Sequence, residues 1–422
     1  MHAHRWLLRL GFGALGTAFS SAPAQSPVAP PIRPLGPVVS RTAVDLPDVQ
    51  AVRVLSDGRV LVNSASSHRL LLFDAALATS RTVAAPPENT VLVAGRGDSS
   101  LLIRAASTID VIDAAGAVVR SIAIQSRGIG AGDFVTPAMH VTADRQGRLL
   151  HIPPPPVFLS FVPREFVGDT IVGGPEIVPL LRYDPSTNRT DTVASIQGPR
   201  RRQAITRWQN GGRGVPVQDP FSLIGDDWTV LANGTIAVAR LHGYSIDWIS
   251  PSGAAVPGPA VAHSWARLSA ASKQRLIDSM RVAQNAAHAD STFPSELARY
   301  DSLSLVAKAN PEALTNSEGK KISLGPRPIR LQFVAPADLP DSMPPFAPAG
   351  MLADSDDNVW IKNYSPARPG GGNVYDVVNR RGVLVDRVEL PPETSLLAFC
   401  PGFVFLRTAA RNGASVAKAR IR

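Results

Sequence analysis

The feature of this 422-residue chain that most constrains its fold is an internal repeat. A turn with Asp57 and Gly58 is followed by the apolar run Val60–Val62, a small polar loop and a second apolar run, Leu70–Phe73, which stops at Asp74. In most copies a further strand precedes the turn and another follows the second run. Four short strands in about forty residues are typical of a β-propeller blade.

The pattern occurs six times, and the last copy is incomplete. The five later copies begin at Gly97, Arg145, Ala232, Ser355 and Pro401. The final copy ends one strand short, whereas residues 38–46 resemble a strand without a blade of their own. We therefore predict an all-β, six-bladed β-propeller whose N-terminal strand closes the last blade and which carries a helical insertion after the fourth blade.

The insertions between copies are predicted to share one face of the ring. In antiparallel blades, the loops from strand two to three and from strand four to the next blade emerge on the same side. Insertions at 153–179, 198–222, 262–335 and 365–373 all fall in these two classes, and two stretches of 262–335 have the apolar spacing of helices. Because loops on a rigid scaffold commonly carry binding residues, this insertion-bearing face is the candidate functional surface.

Two stretches indicate a family. "TPAMHVTADRQGRLLHI" (136–152) and "APAGMLADSDDNVWI" (347–361) resemble the P-x-G-(I/V)-x-x-D-x-x-G-(N/R)-(I/L)-(Y/W)-(V/I) pattern of NHL-repeat-like six-bladed propellers, here of an exported bacterial type. The resemblance covers nearly all of the chain after residue 37 and implies the fold. Related propellers include lactonases, lyases, carbohydrate binders and scaffolds. Lactonase-type members hold a metal in the axial channel, but no position of this chain matches their ligands one by one.

The first residues predict export. Residues 1–24 combine Arg5 and Arg9 with the apolar run Leu10–Phe19 and a small-residue ending, which are the parts of a secretory signal peptide. No later stretch has the length of apolar sequence that a membrane-spanning helix needs. We expect an exported, periplasmic or extracellular protein that is monomeric and has no transmembrane segment once the signal is removed.

Two further regions complete the predicted organisation. Residues 25–37 are rich in proline and predict an extended linker with no reason to pack. Residues 38–422 then form the propeller, including the mainly helical insertion at 262–335.

The charge of the chain suggests its partners. The formal net charge is +9, of which Arg5 and Arg9 contribute two, so the mature protein is still basic. A basic exported protein favours an anionic polymer, a lipid head group or an envelope protein as partner over nucleic acid.

The densest basic cluster lies in the insertion at 198–222. It comprises Arg200, Arg201, Arg202, Arg207, Trp208 and Arg213. Guanidinium groups suit carboxylate, sulfate or phosphate, and an indole ring can stack on a sugar or an aromatic ring. The alternative is a charged loop that is simply solvated.

Two histidines and three channel candidates remain. His68 and His242 occupy equivalent loops of different blades and therefore lie on one face. Asp226 and Asp227 belong to a predicted innermost strand, and together with His140 they are candidates for lining the axial channel. None of the six histidines after the predicted signal peptide has the spacing of a zinc site. We therefore expect no cofactor, the alternative being a divalent cation such as Ca²⁺ in the channel.

Two short sequence features are better explained by a structural role than by metal binding or catalysis. "DSDDN" (354–358) has oxygen ligands at alternate positions, but it occupies the place of a hairpin turn and lacks the glycine and distal glutamate of an EF-hand loop. Cys400 is the single cysteine, and its apolar neighbours predict a buried, unreactive thiol.

Two classes of function remain open. The first is an exported, non-catalytic binding or scaffold propeller that uses the insertion-bearing face, with an anionic ligand. The second is a metal-dependent hydrolase or lactonase with its site in the axial channel.

Overall fold

The computed structural model describes the greater part of the chain. The described residues are 29–64, 66–87, 90–104, 108–124, 140–153, 171–173, 176–200, 202–208, 211–288, 293–310, 332–364, 371–411 and 413–422. Only the backbone is described for 171–173, 203–208, 211–216, 284–288, 293–294 and 296. The predicted signal peptide, 1–24, lies outside the described residues.

The first half of the chain builds three blades after two N-terminal strands. The N-terminal strands are β1 (Ile32–Pro34) and β2 (Val38–Arg41). Blade 1 comprises β3 (Ala51–Val54), β4 (Val60–Ser64), β5 (Arg69–Phe73) and β6 (Ser80–Ala84). Blade 2 comprises β7 (Val91–Ala94), β8 (Ser100–Arg104), β9 (Thr108–Ile112) and β10 (Val118–Ala123). Blade 3 comprises β11 (Thr142–Ala143), β12 (Leu149–His151), β14 (Ile177–Asp184) and β15 (Arg189–Gln197), with β13 (Ile171–Gly173) inserted between its second and third strands.

The second half contains a hairpin, three blades and the helices. The hairpin is formed by β16 (Arg202–Trp208) and β17 (Gly211–Gln218). Blade 4 comprises β18 (Asp227–Val230), β19 (Ile236–Arg240), β20 (Ser245–Ile249) and β21 (Ala255–Val256). Then follow α1 (Ala270–His288), α2 (Phe293–Ala309), β22 (Gln332–Phe333) and a 3₁₀ helix at Pro336–Asp338. Blade 5 comprises β23 (Phe346–Ala353), β24 (Val359–Asn363), β25 (Val374–Val378) and β26 (Leu384–Glu389). Blade 6 comprises β27 (Thr394–Cys400), β28 (Phe403–Ala410) and β29 (Gly413–Arg420).

The six sheets form a ring, so the predicted six-bladed β-propeller is confirmed. The first strand of each blade is innermost: β3, β7, β11, β18 and β23 contact one another in that order, and β27 contacts β3. The hydrophobic core is divided into clusters that each fill the space between two successive blades. Leu61 packs toward blade 2, whereas its neighbours Val60 and Val62 pack toward blade 6. The strands are apolar on both faces because both faces are covered.

The ring is closed by the N-terminal strand, as predicted. β2 pairs antiparallel with β29, with Val38 opposite Ala419 and Arg41 opposite Ala417. A further bridge joins Leu46 to Ala414. β2 thus supplies the missing fourth strand of blade 6 and covers the edge that β29 would otherwise expose.

The prediction that the Pro-rich segment has no reason to pack is wrong for its second half. β1 pairs in parallel with β26 as a fifth strand of blade 5. Arg33 forms an ion pair with Asp386 at 2.6 Å and donates a hydrogen bond to the carbonyl oxygen of Ile421 at 2.9 Å. An edge strand tolerates proline, because its backbone N–H groups form ladder hydrogen bonds only on the side that faces the neighbouring strand. Pro34 is the last residue of β1.

Insertions from three places in the chain meet in one additional sheet. Its strand order is β13–β16–β17–β22, so it joins the insertion within blade 3, the segment after blade 3 and the segment after blade 4. The two helices predicted in the longest insertion are present as α1 and α2. Ile277 of α1 is buried among Phe221, Ile224 and Leu339. The three insertions that supply these strands therefore share one face, and α1 is packed against it. Residues 365–370 of the fourth predicted insertion lie outside the described residues.

Substitution of one glycine, Gly413, tests the contact that closes the ring. Gly413 has a φ of 134°, and a methyl group there would lie 2.1 Å from the carbonyl oxygen of Leu46 in the closing segment. Gly402 has a φ of 77° with no atom within 4 Å of the same position, so it is a matched control. We expect Gly413→Ala to lower the free energy of unfolding by about 1–3 kcal/mol more than Gly402→Ala does. Urea unfolding of both variants measures this difference, and equal losses would contradict the closure contact.

Candidate functional site

A cavity of about 720 Å³ opens on the insertion-bearing face. Its walls come from the start of β14 and the end of β15, the segments before β16 and after β17, the loop between β19 and β20, the segment before α1, and the stretch from the 3₁₀ helix to blade 5. The residues that line it and are used below are Glu176, Gln197, Arg200, Arg202, His242, Trp265, Asp338 and Asp341. The volume is in the range of small-molecule sites.

Two of the predicted arginines lie in this cavity. Arg200 is exposed and has no ion pair within the described part of the chain. Arg202 lies 3.4 Å from Asp338, measured from Nη1 to Oδ2. Burial raises the pKa of the Asp219 carboxyl, and the positive charges of Arg202 and Arg200 act in the opposite direction. Acidic groups therefore lie close to both arginines, but of the two only Arg202 has an ion-pair partner among the described residues.

The other members of the basic cluster lie elsewhere. Arg207 and Trp208 are at the far end of β16, and Arg213 lies on β17 opposite Thr206. Along a strand, Arg202 and Arg207 are separated by roughly 17 Å. The side chains of Arg207, Trp208 and Arg213, and the whole of Arg201, lie outside the described residues. The predicted cluster is thus divided between the cavity and the tip of the hairpin.

The two histidines on equivalent loops do not come together. His242 lines the cavity beside blade 4, whereas His68 precedes β5 in blade 1. Blades 1 and 4 are opposite each other in a ring of six, so equivalent loops there are as far apart as the ring allows. The two histidines share a face without sharing a site.

Trp265 is a residue of the cavity that sequence reasoning missed. Its side chain is 44% exposed, and it lines the cavity. The His263 ring meets it edge to face, with the ring centroids 5.1 Å apart and an interplanar angle of 84°. Burial lowers the pKa of His263, which favours the neutral ring. The only sequence signal was one tryptophan just before a predicted helix, and such a residue more often packs inward.

Two of the three channel candidates are joined in the structure. His140 Nδ1 lies 2.8 Å from Asp227 Oδ1, and the His140 ring stacks on Trp228 with the centroids 4.8 Å apart. Asp227 Oδ2 accepts a hydrogen bond from the Gly350 backbone N–H at 2.9 Å. Asp227 is the first residue of β18 and is only 3% exposed. This carboxylate therefore ties together the innermost segments of blades 3, 4 and 5.

Asp226 has a different surrounding from its neighbour. It accepts hydrogen bonds from the backbone N–H groups of Gln197 and Leu241 and forms an ion pair with Arg240 at 2.8 Å. These partners belong to the ends of β15 and β19, away from His140. Asp226 thus connects blades 3 and 4, and within the described residues no hydrogen bond or ion pair joins its side chain to His140.

The acidic turn at 354–358 behaves as a turn. Asp354 accepts hydrogen bonds from the backbone N–H groups of Asp356 and Asn358, both at 2.9 Å, and from Trp360 Nε1 at 3.0 Å. Asp144 accepts the same kind of bonds from its own turn in blade 3. Within the described ranges, no group of three or more His, Cys, Asp or Glu side chains has the arrangement of a metal site.

None of the helices that the structure describes is long and apolar enough to cross a membrane.

Comparisons with known proteins add the following findings. No protein-family model and no curated protein sequence matches the chain. Among solved structures, it is similar to regucalcin, a calcium-binding protein of Agrobacterium tumefaciens, with 9% identity and a TM-score of 0.41 over 93% of this chain and 98% of that one. A gluconolactonase of Xanthomonas campestris gives 9% identity and 0.40 over 92% and 99%. Virginiamycin B lyase of Staphylococcus aureus gives 9% and 0.38 over 90% and 98%. These neighbours are six-bladed β-propeller proteins, and the likeness concerns the fold.

The expectation that Cys400 is fully buried is wrong. The side chain is half-buried, because it ends β27 where the chain turns back into β28. Burial raises the pKa of the Cys400 thiol, and the charge of Lys418 acts in the opposite direction. The thiol is thus reachable but has little thiolate at neutral pH.

Labelling with a thiol reagent tests this state of Cys400. Because the thiolate is the reactive form, we expect the native protein to react more slowly at pH 7.5 than the urea-unfolded protein, and faster as the pH rises. Lys418→Met removes the nearby positive charge and is expected to slow the native reaction further. Equal rates for native and unfolded protein would contradict the raised pKa.

Proposed function

We propose that this protein is an exported, non-catalytic binding propeller of the NHL-repeat-like type, and that its ligand is anionic and enters the cavity on the insertion-bearing face. The observation that carries the proposal is the meeting of Arg200, Arg202 and His242, from separate segments, in one cavity of about 720 Å³. The ring supplies a rigid base, and the additional sheet fixes the insertions to one another. Loops held in this way commonly form binding sites.

The cavity narrows the choice of partner. Its size suits a small molecule or the end of a polymer chain, and not the flat surface of a lipid bilayer. Arg200 would supply the first contact to the anion because its guanidinium has no ion pair within the described residues. Arg202 would add to that contact only on leaving Asp338, which lies 3.4 Å away.

Binding to acidic polymers and vesicles tests the proposal. Polygalacturonate and vesicles that contain phosphatidylglycerol are compared for the wild type and a variant with Arg200, Arg201 and Arg202 changed to Ala. Since exposed ion pairs contribute about 0–1 kcal/mol each, we expect the affinity for the polysaccharide to fall about three- to tenfold. Raising the salt from about 0.1 M to about 1 M shortens the screening length from about 10 Å to about 3 Å and should weaken binding by the wild type.

The control is Arg411→Ala, which removes one exposed arginine from the loop between β28 and β29 on the same face. This variant should bind as the wild type does. If the triple variant and the wild type bind equally, or if salt has no effect, the cavity is not an anion site. Equal or stronger binding to vesicles would contradict the choice of a small ligand or a chain end.

A second candidate function is hydrolysis at the axial channel, with or without a divalent cation. The contact that favours it is the hydrogen bond between His140 Nδ1 and the buried carboxylate of Asp227. This bond directs Nδ1 toward Asp227 and leaves Nε2 as the atom that would accept a proton from water, the arrangement of a general base oriented by a carboxylate. Stacking on Trp228 further fixes the ring.

Kinetics on a lactone and an aryl ester, with and without added Ca²⁺, test this candidate. It predicts measurable hydrolysis that falls about 100-fold or more in His140→Asn and in Asp227→Asn. Asp226→Asn is the matched control, because Asp226 makes interblade contacts but does not contact His140. Absence of hydrolysis by the wild type, or equal losses in all three variants, would rule against a base at His140.

A further inference from the structure

The rim of the cavity contains an aromatic ring in a fixed position. The segment after Trp265 runs antiparallel to residues 341–343: Met343 N–H donates to the Ala266 carbonyl oxygen, and Leu268 N–H donates to the Asp341 carbonyl oxygen, both at 2.8 Å. The His263 ring packs against the indole edge to face. The indole is 44% exposed, and residues 266–268 beside it are held by backbone pairing, so it offers an apolar face at the rim of the cavity.

Asp341 is also fixed. Its carboxylate accepts a hydrogen bond from Lys273 Nζ at 2.7 Å, and the same ammonium group donates to the Leu339 carbonyl oxygen at 2.8 Å. Lys273 belongs to α1 and is only 8% exposed. The side of the cavity that carries Trp265 is therefore anchored to the helix, and it need not be ordered when a ligand binds.

The remaining lining combines apolar residues, such as Phe221, Leu241 and Met343, with polar groups of mixed charge. Arg200, Gln197, His242 and Glu176 are planar polar groups that donate or accept hydrogen bonds in directed pairs. Against a purely apolar ligand these groups would lose water without gaining a hydrogen bond, which is unfavourable. A strongly anionic polymer would meet Glu176 as well as Arg200. Hydroxyl groups, in contrast, pair with carboxylates, amides and imidazoles alike.

We infer that the ligand is a small acidic carbohydrate, whose ring lies on Trp265 and whose carboxylate pairs with Arg200. This inference rests on the proposed anion-binding function and specifies its ligand class. The apolar C–H face of a sugar ring covers the indole, the hydroxyl groups pair with the planar polar side chains, and the guanidinium receives the acid group as a two-point contact. One acid group suffices, because one arginine of the described lining is unpaired.

Titration calorimetry on the full mature chain tests the inference with three probes. These are digalacturonate, the uncharged disaccharide galactobiose and adipate, an acyclic dicarboxylate. We expect digalacturonate to bind more tightly than either of the other two by about tenfold or more, because each lacks one of the two contacts. Trp265→Ala should weaken digalacturonate about tenfold and leave adipate unchanged.

Further variants distinguish the contact to Arg200 from the contact to Trp265, and the carbohydrate inference from the anion-binding proposal. Arg200→Ala should bring digalacturonate to the affinity of galactobiose, whereas Arg411→Ala should change nothing. If adipate binds as tightly as digalacturonate and Trp265→Ala has no effect, the carbohydrate inference is wrong while the anion site stands. If galactobiose binds as tightly as digalacturonate, the site takes sugars and the anionic proposal is wrong. If none of the probes binds, the carbohydrate inference is wrong. Binding to polygalacturonate then shows whether the cavity is an anion site.

Discussion

The packing of each blade against both of its neighbours is the constraint on which the rest of the structure depends. A blade such as β3–β6 has apolar residues on both faces, with Leu61 directed to one side and Val60 to the other. It cannot bury both faces alone, so the ring has to close. Closure is made by β2 on β29, which brings residues 38–41 against the last strand of blade 6. Arg33, which is bonded to Asp386 and to the Ile421 carbonyl, strengthens the same junction from the outer edge.

The repeat pattern predicted most of this architecture because blades impose it on the sequence directly. Turn residues at fixed offsets and apolar runs on both sides of a turn are local signals. The strand at β1 was not predicted, since a Pro-rich segment lacks such signals and pairs only because the edge of β26 is available. The additional sheet was missed for a related reason. It joins residues 171–173 to 332–333 through a hairpin, and no local pattern reports a pairing between three separate insertions.

The site was predicted less well, because charge along a sequence does not show which charges will face one another. The arginine-rich insertion supplies Arg200 and Arg202 to the cavity, but Asp338, which pairs with Arg202, comes from a segment far away in the chain. The hairpin carries Arg207 away from the cavity for purely geometric reasons, as β16 runs outward from Arg202. The position of Trp265 follows from the pairing of the next residues, 266–268, with 341–343, and no local sequence pattern reports that contact.

The balance of charge around the cavity affects how selective it is. A cavity lined by arginines alone would attract any anion, and its affinity would fall steeply with salt. Here Asp338 lies close to Arg202 and Asp341 is bonded to Lys273, so the long-range attraction comes from fewer unpaired charges, and the salt dependence is shallower but still present. A ligand must therefore be recognised at contact distance, where hydrogen-bond geometry and the fixed Trp265 ring decide between candidates. Because the ring, the additional sheet and α1 have already ordered these groups during folding, little conformational entropy is lost on binding, and a few contacts can supply useful affinity.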